Sequence, residues 1–246
     1  MVDINVNKLN NLQKEVFNMK NKKMVLWFTF IITAVIPVYA QQYDSEKDFQ
    51  IDWDPNVKGG VIITKYIGSK KEVRIPPTIQ NFQVTGIGEE AFSYNENITR
   101  VIIPNSVIII GGNIENSGAF LSCTSLTSIT IPNSVTGIGE LAFTACTSLT
   151  SITIPKSVTS IGLAAFIMGT SLTAINVDAG NTAYSSQDGV LYNKNKTDLI
   201  TYPAGKTGTT FIIPNSVTNI GYNAFAHCNK LNRVTIPDIK EIADFT

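Results

Sequence analysis

Charged residues make up only 15% of this 246-residue sequence, acidic and basic side chains cancel to a formal net charge of zero, and histidine occurs once. A chain so balanced has no broad attraction for nucleic acid or an anionic membrane surface, and no nucleic-acid partner is expected. Catalytic and metal-binding constellations need convergent His, Cys or carboxylate groups, and none is visible in the residue order, so neither an enzymatic activity nor a cofactor or metal is expected. What the chain has is 43% hydrophobic residues, enough to argue against disorder and for a folded core.

Lys20, Lys22 and Lys23 precede an apolar run from Met24 to Val38, and Val38-Tyr39-Ala40 is followed by two glutamines. A basic start, a short apolar stretch and a small residue at its end form the pattern of a secretory signal peptide, assigned to 19–40. Residues 1–18 then read as a mis-assigned leader, with Met19 as the true start. The run is shorter than the ~20 residues of a typical membrane-spanning helix, although an uncleaved N-terminal anchor is the alternative reading. Cleavage after Ala40 would leave 14 basic and 17 acidic residues, a formal charge of −3. The protein is accordingly expected to be secreted or displayed at the cell surface, meeting a membrane only through the signal peptide or such an anchor.

A repeated phrase organises the remainder. Prolines that end an Ile-x-Ile unit fall at Pro76, Pro104, Pro132, Pro155, Pro214 and Pro237, with Asp178 in the same slot, and the shortest recurring step is 23 residues. Ala-Phe recurs 13 residues before the next mark, as in Ala119-Phe120, Ala142-Phe143 and Ala165-Phe166. In "LTSITIP", Leu126, Ile129 and Ile131 are apolar, the last two at strand period, while Thr130 points away. Pro132 should end the strand, Gly137 and Gly139 suit a tight bend, and Ala142-Phe143 reads as a short helical or irregular return. One 23-residue unit cannot enclose its own apolar face, but stacked units share one. The fold class is therefore a repeat solenoid, a stack of short parallel strands with irregular or short helical returns.

The pattern Leu126-x-x-Ile129-x-Ile131-Pro132, Val135-x-x-Ile138-Gly139 and Ala142-Phe143-x-x-Cys146 resembles the BspA-like class of bacterial leucine-rich repeat surface proteins. Residues 184–205 resemble an insertion frequent in that class and are read as strands around Val190–Tyr192 and Leu199–Tyr202, joined by a turn at Lys194-Asn195-Lys196. Residues 41–70 break the repeat and read as an N-terminal cap; 71–246 form the solenoid. After Pro237 the register slips by one residue, which suggests an incomplete C-terminal end and makes end-to-end self-association conceivable.

Cys123, Cys146 and Cys228 share one repeat position, three after a Phe, and read as small buried residues at a bend. A Cys123–Cys146 bridge between neighbouring coils stays open as an alternative. His227 reads as a surface turn residue. Asp44, Glu46, Asp48, Asp52 and Asp54 lack calcium-loop spacing and read as a solvated acidic edge.

Outward strand positions form a candidate binding strip: Arg100, Ser128, Thr130, Ser151, Thr153 and Asn176, continued by Thr210, Arg233 and Thr235. The strip is expected to be flat, with hydroxyls at its centre and Arg toward both ends, although threonine is also simply a good strand residue. A non-enzymatic scaffold that binds a protein partner fits these features, and the family resemblance implies adhesion to host matrix, host cells or neighbouring cells. The alternatives are a self-assembling structural module and, last, an enzyme using Tyr184, Asp188, Tyr192 and Asp198 of the insertion.

Overall fold

The computed structural model describes residues 43–112 and 117–236, together with the backbone of 241–242. The signal-peptide assignment, the leader and most of the segment after Pro237 lie outside the described residues.

After a 3-10 turn at Glu46–Asp48, β1 (Phe49–Trp53) and β2 (Gly60–Tyr66) pair as an antiparallel hairpin. The first coil holds β3 (Glu72–Arg74), β4 (Thr78–Ile79) and β5 (Phe82–Ile87). Three further coils follow, built from β6 (Arg100–Ile102) with β7 (Ile109–Ile110), β8 (Ser128–Thr130) with β9 (Gly137–Ile138), and β10 (Ser151–Ile154) with β11 (Ser160–Ile161). Next come β12 (Ala174–Val177) and the inserted strands β13 (Tyr184–Gln187), β14 (Val190–Asn193) and β15 (Asp198–Thr201). The chain then forms β16 (Thr210–Ile212), β17 (Asn219–Ile220), β18 (Arg233–Thr235) and β19 (Glu241–Ile242).

Each coil contributes one strand to each of two walls. One wall carries the order β1-β2-β5-β7-β9-β11, parallel from β2 onward, and the other begins as the parallel ladder β3-β6-β8. The expected alternation holds: Leu126, Ile129, Ile131, Val135 and Ile138 are buried while Thr130 is exposed. Burying each such aliphatic side chain is worth roughly 1.5–3 kcal/mol, so stability resides in the shared interior.

The third side of each coil is irregular and not helical. Leu141 and Ala145, two residues either side of Phe143, both adopt left-handed backbone (φ 51° and 57°), and Ala164 and Met168 repeat this around Phe166 (φ 55° and 60°). These residues break the chain into successive turns and drive the phenyl rings inward. Phe92, Phe120, Phe143 and Phe166 stack with centroids 4.9, 5.3 and 5.8 Å apart and planes within 13° of parallel.

Gly137 and Gly139 depart from the expectation of a tight bend, since neither has a positive φ. A Cβ on Gly139 would strike the Gly112 backbone, and one on Gly162 would strike the Glu140 backbone. These glycines are required where one coil's backbone presses on the next.

The insertion contains the two expected strands, paired antiparallel as β14 and β15, with Lys194–Lys196 between them. It also contains β13, which the sequence reading missed, joined to β14 through Asp188 and Gly189 at positive φ. β12 runs beside this hairpin, Ile175 N–H donating to Gly189 O at 2.8 Å. Beyond it a second cluster forms around Val190, Tyr192, Leu199 and Ile220.

Candidate binding face and interstrand groove

All nine residues of the strip are exposed, yet they do not form one continuous ladder. Arg100 pairs laterally with Ser128, Ser151 with Ala174, Thr153 with Asn176, Thr210 with Arg233, and Ile212 with Thr235. These pairs fall in three separate short sheets, β3-β6-β8, β10-β12 and β16-β18. The insertion, lying beside β12, separates the third sheet from the second, so Thr210, Arg233 and Thr235 form their own patch.

The other break has a local cause. Before β6, β8 and β12 a threonine donates its hydroxyl to the coil below: Thr99 to Lys71 O at 3.2 Å, Thr127 to Thr99 O at 2.9 Å, Thr173 to Thr150 O at 3.1 Å. The backbone N–H groups of these three residues follow the same path, at 2.7, 2.9 and 2.9 Å. The corresponding step from Thr150 to Thr127 is absent, and no ladder bond joins β8 to β10. On the opposite wall the same two coils stay paired, Gly137 with Ser160 and Ile138 with Ile161.

The coils therefore part on one side only. The result is a groove of about 460 Å³ walled by Ser128 and Thr130 from β8 and by Ser151 and Thr153 from β10, with Asn133 and Asp178 beyond the strand ends. Opening the seam also lifts Ile129 and Ile131 to 9% and 8% exposure, the highest in the main core cluster. The expectation of a flat strip is thus corrected at its centre, where a cleft replaces the missing ladder bonds. Residue types alone gave no sign of it, because Thr150 repeats Thr127 in kind and position.

The cysteines sit where the repeat placed them. Cys123 and Cys146 are buried free thiols, and Cys228 is partly buried. Cys123 Sγ donates to Phe92 O at 3.0 Å and Cys146 Sγ to Phe120 O at 3.2 Å, each reaching the preceding coil. Burial pushes the Cys123 thiol up to about 12 and the Cys228 thiol to about 11, and raises Cys146 further. His227 lies exposed in a turn with φ 60°.

Glu46 and Asp52 are exposed, as a solvated acidic edge requires, but Asp44 departs from it. Asp44 is buried, accepts from Lys70 Nζ at 2.7 Å and from the Arg74 N–H at 3.0 Å, and so anchors the chain before β1 to the first coil. Asp54 accepts the Thr85 hydroxyl at 2.6 Å, and Glu46 accepts the Gln80 N–H at 2.8 Å.

In the insertion, Tyr184 Oη accepts the Ile161 N–H at 2.9 Å, Tyr192 is buried in the second cluster, and Asp198 accepts from Asn193 Nδ2. These groups have structural partners and do not converge on a site. Among the described residues, no group of three or more His, Cys, Asp or Glu could hold a metal ion.

Comparison with known proteins agrees with this geometry. The BspA type leucine rich repeat region matches residues 85–207 and 204–246 in six copies. A leucine-rich repeat protein from Eubacterium ventriosum is 30% identical with a TM-score of 0.58, covering 76% of this chain and 58% of its own. The pneumococcal vaccine antigen PcpA is 24% identical with a TM-score of 0.59, covering 68% of this chain and 51% of its own. The chain thus spans between half and three fifths of the length of these two relatives. No curated protein matches it significantly.

Proposed function

Because the chain belongs to the BspA-type leucine-rich repeat family, we propose that it is an exported, non-enzymatic scaffold whose exposed strand face binds protein on host matrix, host cells or neighbouring cells. The observation that carries this reading is the division of labour within each coil: an apolar interior beneath outward Ser, Thr and Arg side chains free to meet a partner. The interior offers little to catalysis. A thiol raised to about 12 yields almost no thiolate at neutral pH. The pattern at 19–40 supports export.

The test is a binding titration of the full chain over extracellular-matrix and cell-surface protein fractions, beside a double variant Ser151→Arg, Thr153→Arg. Saturable binding that the double variant loses is the expected result. An absence of saturable binding, or equal binding by both proteins, overturns the proposal.

A further inference from the structure

The groove between β8 and β10 differs from the rest of the strand face in volume and in chemistry. Its 460 Å³ lies within the ~300–1,000 Å³ typical of small-molecule sites, whereas the paired ladders on either side are closed. The skipped ladder step leaves the Thr127 carbonyl, the Thr150 N–H and the Thr150 hydroxyl without partners among the described residues, and both threonines line the groove.

We propose that this groove is a binding site for a neutral carbohydrate, one or two sugar residues wide. The lining selects that class by what it presents. Ser128, Thr130, Ser151 and Thr153 carry hydroxyls that both donate and accept, as sugar hydroxyls do. Asn133 adds an amide, and Asp178 adds a carboxylate of which only Oδ1 is engaged, by the Gly180 N–H at 2.8 Å. Ile129, Ile131 and Ile152 supply a narrow apolar floor for C–H groups. Among the described residues no Lys or Arg lines the groove while Asp178 does, so a phosphate, sulfate or sialic acid would meet a carboxylate inside it and no cation. No aromatic ring lines it among the described residues, so a nucleobase lacks its stacking platform and a sugar would rest its C–H groups on the isoleucine floor.

The inference rests on the strand face being the contact surface, but the two separate by experiment. Saturation-transfer NMR on the full chain would use lactose, maltotetraose and chitotetraose as neutral probes and sialyllactose as the anionic one. The paired variant Thr130→Val, Thr153→Val removes two hydroxyls at nearly constant volume; Thr159→Val alters an exposed hydroxyl outside the groove. Transfer to at least one neutral probe, weakened about tenfold in the paired variant and unchanged in Thr159→Val, is expected for the loss of two hydrogen bonds. Transfer to none of the neutral probes, preference for sialyllactose, or indifference to the paired substitution overturns the inference. Protein binding that survives such a result leaves the adhesion reading standing, and sugar binding without protein binding does the reverse.

Discussion

The phenyl ring of Phe120 lies 5.3 Å from that of Phe143 with the planes 5° apart, and Phe92 covers its other side at 4.9 Å. Each ring thus belongs to two interfaces between coils.

Phe120→Ala should therefore cost about 3–5 kcal/mol, because a fully buried ring is lost from between two others and the stack can close over the cavity only in part. Phe225→Ala should cost less, since Phe225 is only partly buried and meets Tyr202 and Phe211 at tilted angles. Urea midpoints of the two variants, compared with their m-values, measure the contrast; equal losses would contradict a stack-borne core.

Much of this core was readable because apolar residues recur at fixed spacing and the Ala-Phe mark keeps constant distance from the following strand. Features arising between coils were less legible. Gly139 looked like a bend residue, but its reason lies in Gly112 on the adjacent coil, which one unit's sequence does not display. Ile152 pairs with Ile175 on one side only, because β8 on its other side is bonded to β6 and not to β10, and the repeat spacing does not display that break. Asp44 looked like one of several solvated carboxylates, and only the position of Arg74 explains its burial.

Gly139→Ala and Gly137→Ala form a matched pair. A methyl group at 139 presses on backbone, which cannot rotate away, so overpacking should cost about 1–3 kcal/mol. At 137 the nearest atom is Ser160 Oγ, 3.1 Å away and free to change rotamer, so the loss should be small. Thermal unfolding of the two variants reports the difference, and a larger loss at 137 than at 139 would reverse the assignment.

The cysteines predict an alkaline limit to stability. Burial raises Cys123 from 9.0 to about 12 and Cys228 from 9.0 to about 11, so the unfolded chain releases these protons first. Their contribution is fully present below pH 9 and is lost as pH climbs through the folded values. A variant with all three cysteines replaced by alanine should be less stable at pH 7 but should lose less between pH 9 and 10, before the tyrosines dominate. Denaturation midpoints across that interval decide the matter; parallel curves would assign the alkaline loss elsewhere.

Asp44 holds the start of the described chain through two different contacts, and substitution can weigh them. The Lys70 side chain is 56% exposed and the Asp44 carboxylate it meets only 4%, so solvent screens the lysine end of the pair and Lys70→Met should cost on the order of 1 kcal/mol. The Arg74 N–H donates to Asp44 Oδ2 at 3.0 Å, its acceptor among the described residues, and Asp44→Ala leaves that donor unpaired at a cost of about 1–3 kcal/mol. Asp44→Asn should fall between the two, since the amide keeps one acceptor but turns a donor toward either Lys70 or the Arg74 N–H. Hydrogen exchange at the Arg74 amide is the direct readout. It should accelerate strongly in Asp44→Ala and hardly at all in Lys70→Met, and equal acceleration in both would mean that charge, and not the buried hydrogen bond, holds this segment to the first coil.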